Sequence, residues 1–282
     1  MAAAAEIRDA YMQSTIRFLV GWDEFHRGRM AKAYQAAEDV ILVGRQVNDP
    51  RSVGYGMSIR AWIALTSDDY LGALNFAETG LTTVLTPFDR ATANNAKIIS
   101  LVLLERPNAL ELLQSWIKEC VTNQWRYHLT APEGILGIAW AIRGNLSRGI
   151  RQTESTILRR EQKGCRTAAD WLRLFLCEIY LEIISGKKKP PARVVLRNIL
   201  TIIVVTFTAR KRITRLIAQA RKSPHFDPNG HHIGRCEMIL GLQAKKKRGL
   251  AVQHLTEARR ITSQFGPSPM LVKIEAALAE LA

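Results

Sequence analysis

The densest gathering of chemically capable side chains is the tract His225-Phe226-Asp227-Pro228-Asn229-Gly230-His231-His232-Ile233-Gly234-Arg235. Three imidazoles and a carboxylate in eight residues have the donor types of a zinc site. The spacing argues against joint ligation, because the adjacent His231 and His232 project from different faces of any helix they begin. Asp227-Pro228-Asn229-Gly230 is also turn chemistry, with Asp227 suited to cap the following helix. The tract therefore reads as an inter-helix corner, and no metal or other cofactor is assigned to it.

Other chemistry is hard to assemble. The chain has no G-x-x-x-x-G-K-[ST] phosphate loop, no H-E-x-x-H metal helix and no G-x-S-x-G nucleophile elbow. Gly54-Tyr55-Gly56 lacks the third glycine and the preceding strand of a dinucleotide loop. Cys120, Cys165, Cys177 and Cys236 are far apart, with no C-x-x-C pair. With no export signal in Met1 to Asp9, they are expected to be reduced and mostly buried, in a cytoplasmic protein. No enzymatic activity is expected.

Charge is distributed more informatively than catalytic groups. Residues 1–150 hold 15 Lys/Arg against 15 Asp/Glu, residues 151–250 hold 22 against 7, and the remainder 3 against 3. The whole formal excess of +15 thus falls within one hundred residues. Its clusters are Lys187-Lys188-Lys189, Arg210-Lys211-Arg212 and Lys245-Lys246-Lys247-Arg248, the candidate interaction residues. Such a field attracts nucleic acid, acidic lipid or an acidic protein surface, while the plainer reading is a set of solvated helix faces. Only Phe207 and Phe226 are aromatic in the basic stretch 186–250, which argues against a base-stacking platform.

The elements that must position these groups are helices. A short phrase recurs as Arg29-Met30-Ala31-Lys32-Ala33-Tyr34, Tyr70-Leu71-Gly72-Ala73-Leu74-Asn75 and Arg106-Pro107-Asn108-Ala109-Leu110-Glu111. It returns as Leu146-Ser147-Arg148-Gly149-Ile150-Arg151 and Arg248-Gly249-Leu250-Ala251-Val252-Gln253. Its pivots, Ala33, Ala73, Ala109, Ile150 and Ala251, step by 40, 36, 41 and 101 residues. A period of 34 to 47 residues signals stacked helix pairs. The expected fold is all-α, a right-handed α-solenoid of about six tetratricopeptide-like antiparallel pairs. It would be a single array over 1–282, with degenerate units around 186–230. Ser67-Asp68-Asp69 and Thr86-Pro87 mark helix starts. Asp170 to Ser185, apolar almost all round, is expected to be enclosed on several sides. Val194–Ala209 is rich in β-branched residues and is expected to be a buried helix, too short and too polar to span a membrane.

Several tracts also occur in a familiar order: Asn48-Asp49-Pro50-Arg51-Ser52, Thr86-Pro87-Phe88-Asp89-Arg90, Ile157-Leu158-Arg159-Arg160-Glu161 and Ala169-Asp170-Trp171-Leu172-Arg173-Leu174-Phe175-Leu176. His225 to Arg235 and His254-Leu255-Thr256-Glu257-Ala258-Arg259-Arg260 complete them. Together they resemble the C-terminal tetratricopeptide-like region of bacterial class III adenylate/guanylate cyclases of the rhizobial type. The resemblance covers nearly the whole chain and is most specific over 157–265. It implies a cyclase domain and a signal-transduction ATPase module upstream of such an array. The cyclase's metal-binding aspartates and the ATPase phosphate loop have no counterpart here, so no catalytic residue carries over. The expectation is a non-catalytic scaffold in cyclic-nucleotide signalling, whose partner is another protein or those upstream domains. The alternative is a nucleic-acid-associated regulator using the basic 151–250 face.

Overall fold

The computed structural model describes residues 10–84, 86–186 and 191–281, and among these it contains thirteen α-helices and no strand. They are α1 Ala10–Arg27, α2 Met30–Gln46, α3 Pro50–Thr66, α4 Tyr70–Thr83, α5 Pro87–Leu103, α6 Ala109–Thr122 and α7 Arg126–Ile142. There follow α8 Leu146–Gln162, α9 Arg166–Ser185, α10 Ala192–Arg221, α11 His231–Gln243, α12 Arg248–Thr262 and α13 Pro269–Ala279. They group into two compact units, Met1–Arg106 with Gln264–Met270, and Pro107–Ser263 with Leu271–Ala282.

In the first unit each helix from α1 to α5 packs on the next, and α3 also contacts both α1 and α5. The second unit repeats the scheme, with consecutive packing from α6 to α10 and from α10 through α12, and α9 touching both α7 and α11. Contacts between alternate helices place α1, α3 and α5 in one layer, as they do α7, α9 and α11. Those are the packing relations of stacked helix hairpins.

One turn is used again and again. Gly28, Asn48, Asp68, Glu105, Gln124, Gly144 and Gly164 all adopt left-handed backbone conformations just past a helix end. The next residue's N–H then reaches back to the carbonyl five positions earlier. Arg29 bonds Glu24, Asp49 bonds Gly44, Asp69 bonds Ala64, Arg106 bonds Leu101, Trp125 bonds Cys120, Asn145 bonds Trp140 and Cys165 bonds Arg160, all at 2.7–3.0 Å. This is the Schellman cap, which satisfies carbonyls that the helix leaves unpaired. From Gly28 to Asp68, and again from Glu105 to Gly164, successive caps lie 19 or 20 residues apart, so two helices with their turns make the forty-residue recurrence. The expected starts hold as well. The Asp69 carboxylate accepts from the Gly72 N–H at 2.9 Å, and the Thr86 hydroxyl from the Asp89 N–H at 3.2 Å.

All five pivots are buried near the starts of α2, α4, α6, α8 and α12. The helix crossings beside them are close. A Cβ on Gly149 would lie 2.6 Å from the Gly137 carbonyl oxygen, and one on Gly56 2.6 Å from the Ala37 oxygen. In α9, six consecutive residues from Leu172 to Cys177 are buried, so this helix is enclosed as its composition implies.

Two expectations are corrected. Asp227 does not cap α11: its carboxylate accepts from Asn229 N–H at 2.9 Å in a local turn, and Gly230 stands at the helix N-cap. Val194–Ala209 is helical, but it is not buried, and it forms only part of the thirty-residue α10.

Candidate interaction surface

Helix α10 starts after Pro191, a residue whose fixed φ suits the approach to a first turn. Three of its threonine hydroxyls are satisfied within the helix. Thr206, Thr208 and Thr214 donate to the carbonyls of Ile202, Val204 and Arg210 at 2.8, 2.8 and 3.0 Å. The inner side is anchored at both ends. Asn198 donates to the carbonyls of Gly144 and Val194 at 2.8 and 2.7 Å, and its side-chain oxygen accepts from the Leu146 N–H at 3.0 Å. A single buried amide thus locks α10 to the turn before α8. Further along, Arg212 donates to the Glu154 carboxylate and the Tyr180 hydroxyl, both at 3.0 Å. Burial pushes the Tyr180 phenol up to about 12, so it stays protonated and donates to Glu154 at 3.1 Å.

The outer side gathers more exposed large apolar side chains than any other helix among the described residues. Leu196, Leu200 and Phe207 are 71%, 76% and 85% exposed, and Ile199, Ile203 and Val204 beside them are also exposed. Monomeric proteins seldom leave so many large apolar side chains contiguous in water, and such patches mark interaction sites. Leu196, Leu200, Ile203 and Phe207 are spaced 4, 3 and 4, the seam of a coiled coil. The same spacing continues to Arg193 on one side and Arg210 on the other. The seam is therefore four apolar positions, spanning about 17 Å, closed by a cation at each end. Helix α10 holds seven arginine or lysine residues and no acid.

The sequence-derived basic clusters divide. Lys187, Lys188 and Lys189 lie outside the described residues. Arg210 and Lys211 are exposed at the end of the seam. The structure brings the third cluster to them: Gln243, ending α11, donates to the Arg210 carbonyl at 2.8 Å, and the turn carrying Lys245, Lys246 and Lys247 follows directly. Lys246, Lys247 and Arg248 are exposed there. Arg212 and Lys245 are engaged in the fold, the first as above and the second with Glu280. Sequence reasoning named the cations and missed the apolar seam between them. The signal for it was an acid-free, thirty-residue stretch with arginines recurring in register with leucines.

The histidine tract is structural. His231 and His232 are buried with their rings nearly perpendicular and 6.3 Å apart, and His232 packs on Phe226 at 4.6 Å. Arg235 grips Glu178 of α9 through two parallel bonds of 3.0 and 2.9 Å. Among the described residues no three His, Cys, Asp or Glu side chains come together as a metal site.

By length and composition α10 also suffices to cross a membrane, because the helix extends beyond the apolar tract at both ends. What fold and face define together is a helical array of stacked hairpins carrying, among the described residues, a cation-capped apolar helix face with nothing packed on it. No protein-family model matches the chain, and no curated protein matches it.

Proposed function

We propose that this protein is a non-catalytic scaffold, a right-handed solenoid of about six tetratricopeptide-like helix pairs, that captures a partner protein's helix along the outer face of α10. The observation that carries the proposal is the 4-3-4 seam of Leu196, Leu200, Ile203 and Phe207 bracketed by Arg193 and Arg210. A helix laid in such a seam reads out as anchors at i, i+3, i+4 and i+7. The fitting partner helix has an apolar stripe of equal length with acidic residues at its ends, since opposite charges at seam edges set orientation and partner choice. The resemblance to cyclase-associated arrays makes an upstream domain of a longer bacterial signalling protein one source of that helix, with the scaffold acting in the cytoplasm.

The test is a synthetic helical peptide with four leucines at 4-3-4 spacing flanked by glutamates, titrated against the whole protein by fluorescence anisotropy. Saturable binding, abolished by Leu200→Glu with Phe207→Glu and weakened by Arg193→Glu, is expected. Four outcomes defeat the proposal: no binding; binding untouched by the seam variants; concentration-dependent self-association through the seam; or capture of the protein by anionic vesicles in place of the peptide.

A further inference from the structure

The ends of α6 and α8 and the start of α7 enclose a cleft of about 850 Å³, distant in sequence from the α10 seam and sharing none of its residues. This volume falls in the range of small-molecule sites. Four cations line it, Arg126, Arg159, Arg160 and Lys163, against one acid, Glu133. We propose that this cleft binds a small organic phosphate.

The two adjacent arginines carry the argument. Each spends one terminal nitrogen on the protein: Arg159 donates to the Thr156 hydroxyl at 3.2 Å and lies 3.8 Å from the Glu133 carboxylate, with which Arg160 also pairs. The Nε of each is buried and has no acceptor among the described residues. Arg160 is itself almost wholly buried, although buried polar groups in proteins nearly always have partners. A guanidinium whose Nε–H lacks an acceptor keeps a donor and a full positive charge for a phosphoryl oxygen that displaces or joins the Glu133 carboxylate. Arg126 and Lys163 stand exposed at the rim, with no ion-pair partner among the described residues.

The backbone adds to the same field. Helix α7 begins at Arg126 and α9 just past Cys165, both at the cleft, and neither N-terminus has a side-chain cap. Uncapped helix starts favour anions. Tyr127 and its apolar neighbours on the wall give a carbon moiety something to rest on, which is why the ligand is an organic phosphate and not the bare ion. This site is independent of the docking function proposed above.

The experiment is isothermal titration of the whole protein with phenyl phosphate, inorganic phosphate and benzoate. One saturable site is expected, tightest for phenyl phosphate and weakest for benzoate. Arg126→Ala and Lys163→Ala remove exposed side chains and should leave the circular dichroism unchanged, while weakening phenyl phosphate by about tenfold each. Arg160→Lys keeps the charge and loses the fork, and should weaken phosphate more than benzoate. Leu200→Glu on α10 should have no effect on this titration. Absence of saturable phenyl phosphate binding, tighter binding of benzoate, or affinity unchanged in folded Arg126→Ala and Lys163→Ala proteins would overturn the assignment.

Discussion

At the scale of single residues, the fold depends on side chains that are missing as much as on those present. A Cβ on Gly149 would meet the Gly137 carbonyl oxygen at 2.6 Å and the Ala141 backbone nitrogen at 2.8 Å, so the helices themselves must separate. Gly149→Ala should cost roughly 1–3 kcal/mol of overpacking, which outweighs the gain in helix propensity of about 1 kcal/mol. Gly249, at the start of α12, has nothing within 4 Å of its added Cβ. There the same substitution should stabilise by about 0.5–1 kcal/mol. Urea melts of the two variants that shift in the same direction would show that the crossing is not tight. The thiols supply another check. Burial pushes the Cys120 thiol up to about 11 and Cys236 to about 12, and raises Cys177 as well, whereas Cys165 is exposed. A thiolate-selective reagent at neutral pH should label Cys165 alone in the native protein and all four after denaturation.

Elements were legible where local chemistry decides them and illegible where neighbours do. The forty-residue phrase, the buried pivots and the starts at Asp69 and Thr86 follow from spacing and capping groups, and the structure has them where the sequence puts them. The cap that generates the period was harder to see, because four of its seven left-handed positions are Asn48, Asp68, Glu105 and Gln124 instead of glycine. Those four are a reserve of strain. Gln124→Gly should relieve roughly 1–2 kcal/mol of left-handed backbone cost against about 0.4–1 kcal/mol of added freedom in the unfolded chain. A net gain of about 0–1.6 kcal/mol is expected, read as a small rise in Tm. Gly144→Ala should instead destabilise, since its φ is +77° and its new Cβ would press on Val194 at 2.9 Å. Helix α10 shows the limit of such reading. Composition makes Val194–Ala209 apolar, but burial belongs to whatever stands opposite. On that face nothing among the described residues does, so a tract with the composition of a core became a surface. The convergence of Arg210 with the Lys245–Lys247 turn was equally invisible, because it rests on one tertiary bond, from Gln243 to the Arg210 carbonyl.

At the scale of the whole molecule, the question is what a +15 protein does with its charge. Ion pairs consume little of the excess of residues 151–250, because most use acids of the same stretch, while Arg159, Arg160 and Lys245 draw on Glu133 and Glu280 outside it. Arg160, Arg173, Arg212, Arg221, Arg235 and Lys245 all hold carboxylates in ion pairs. Exposed cations stand at the two ends of the α10 seam and in the adjoining turn, as well as elsewhere on this stretch, and the four seam side chains between Arg193 and Arg210 are aliphatic apart from Phe207. Nucleic acid would find cations for its phosphates there but little to stack bases on. We therefore expect DNA or RNA to bind weakly, without sequence preference, and to dissociate near physiological salt. Replacing Arg210, Lys211, Lys246 and Lys247 by glutamine should lower the salt slope by about 0.7–0.9 for each phosphate that is no longer neutralised. The acidic-flanked peptide should behave differently. Its apolar packing does not involve counterion release, so raising salt should erode the charged ends and leave the seam binding in place. Tight nucleic-acid binding at about 150 mM salt, with the peptide displaced as ionic strength rises, would reverse the assignment, making the cations the site and the leucines its frame.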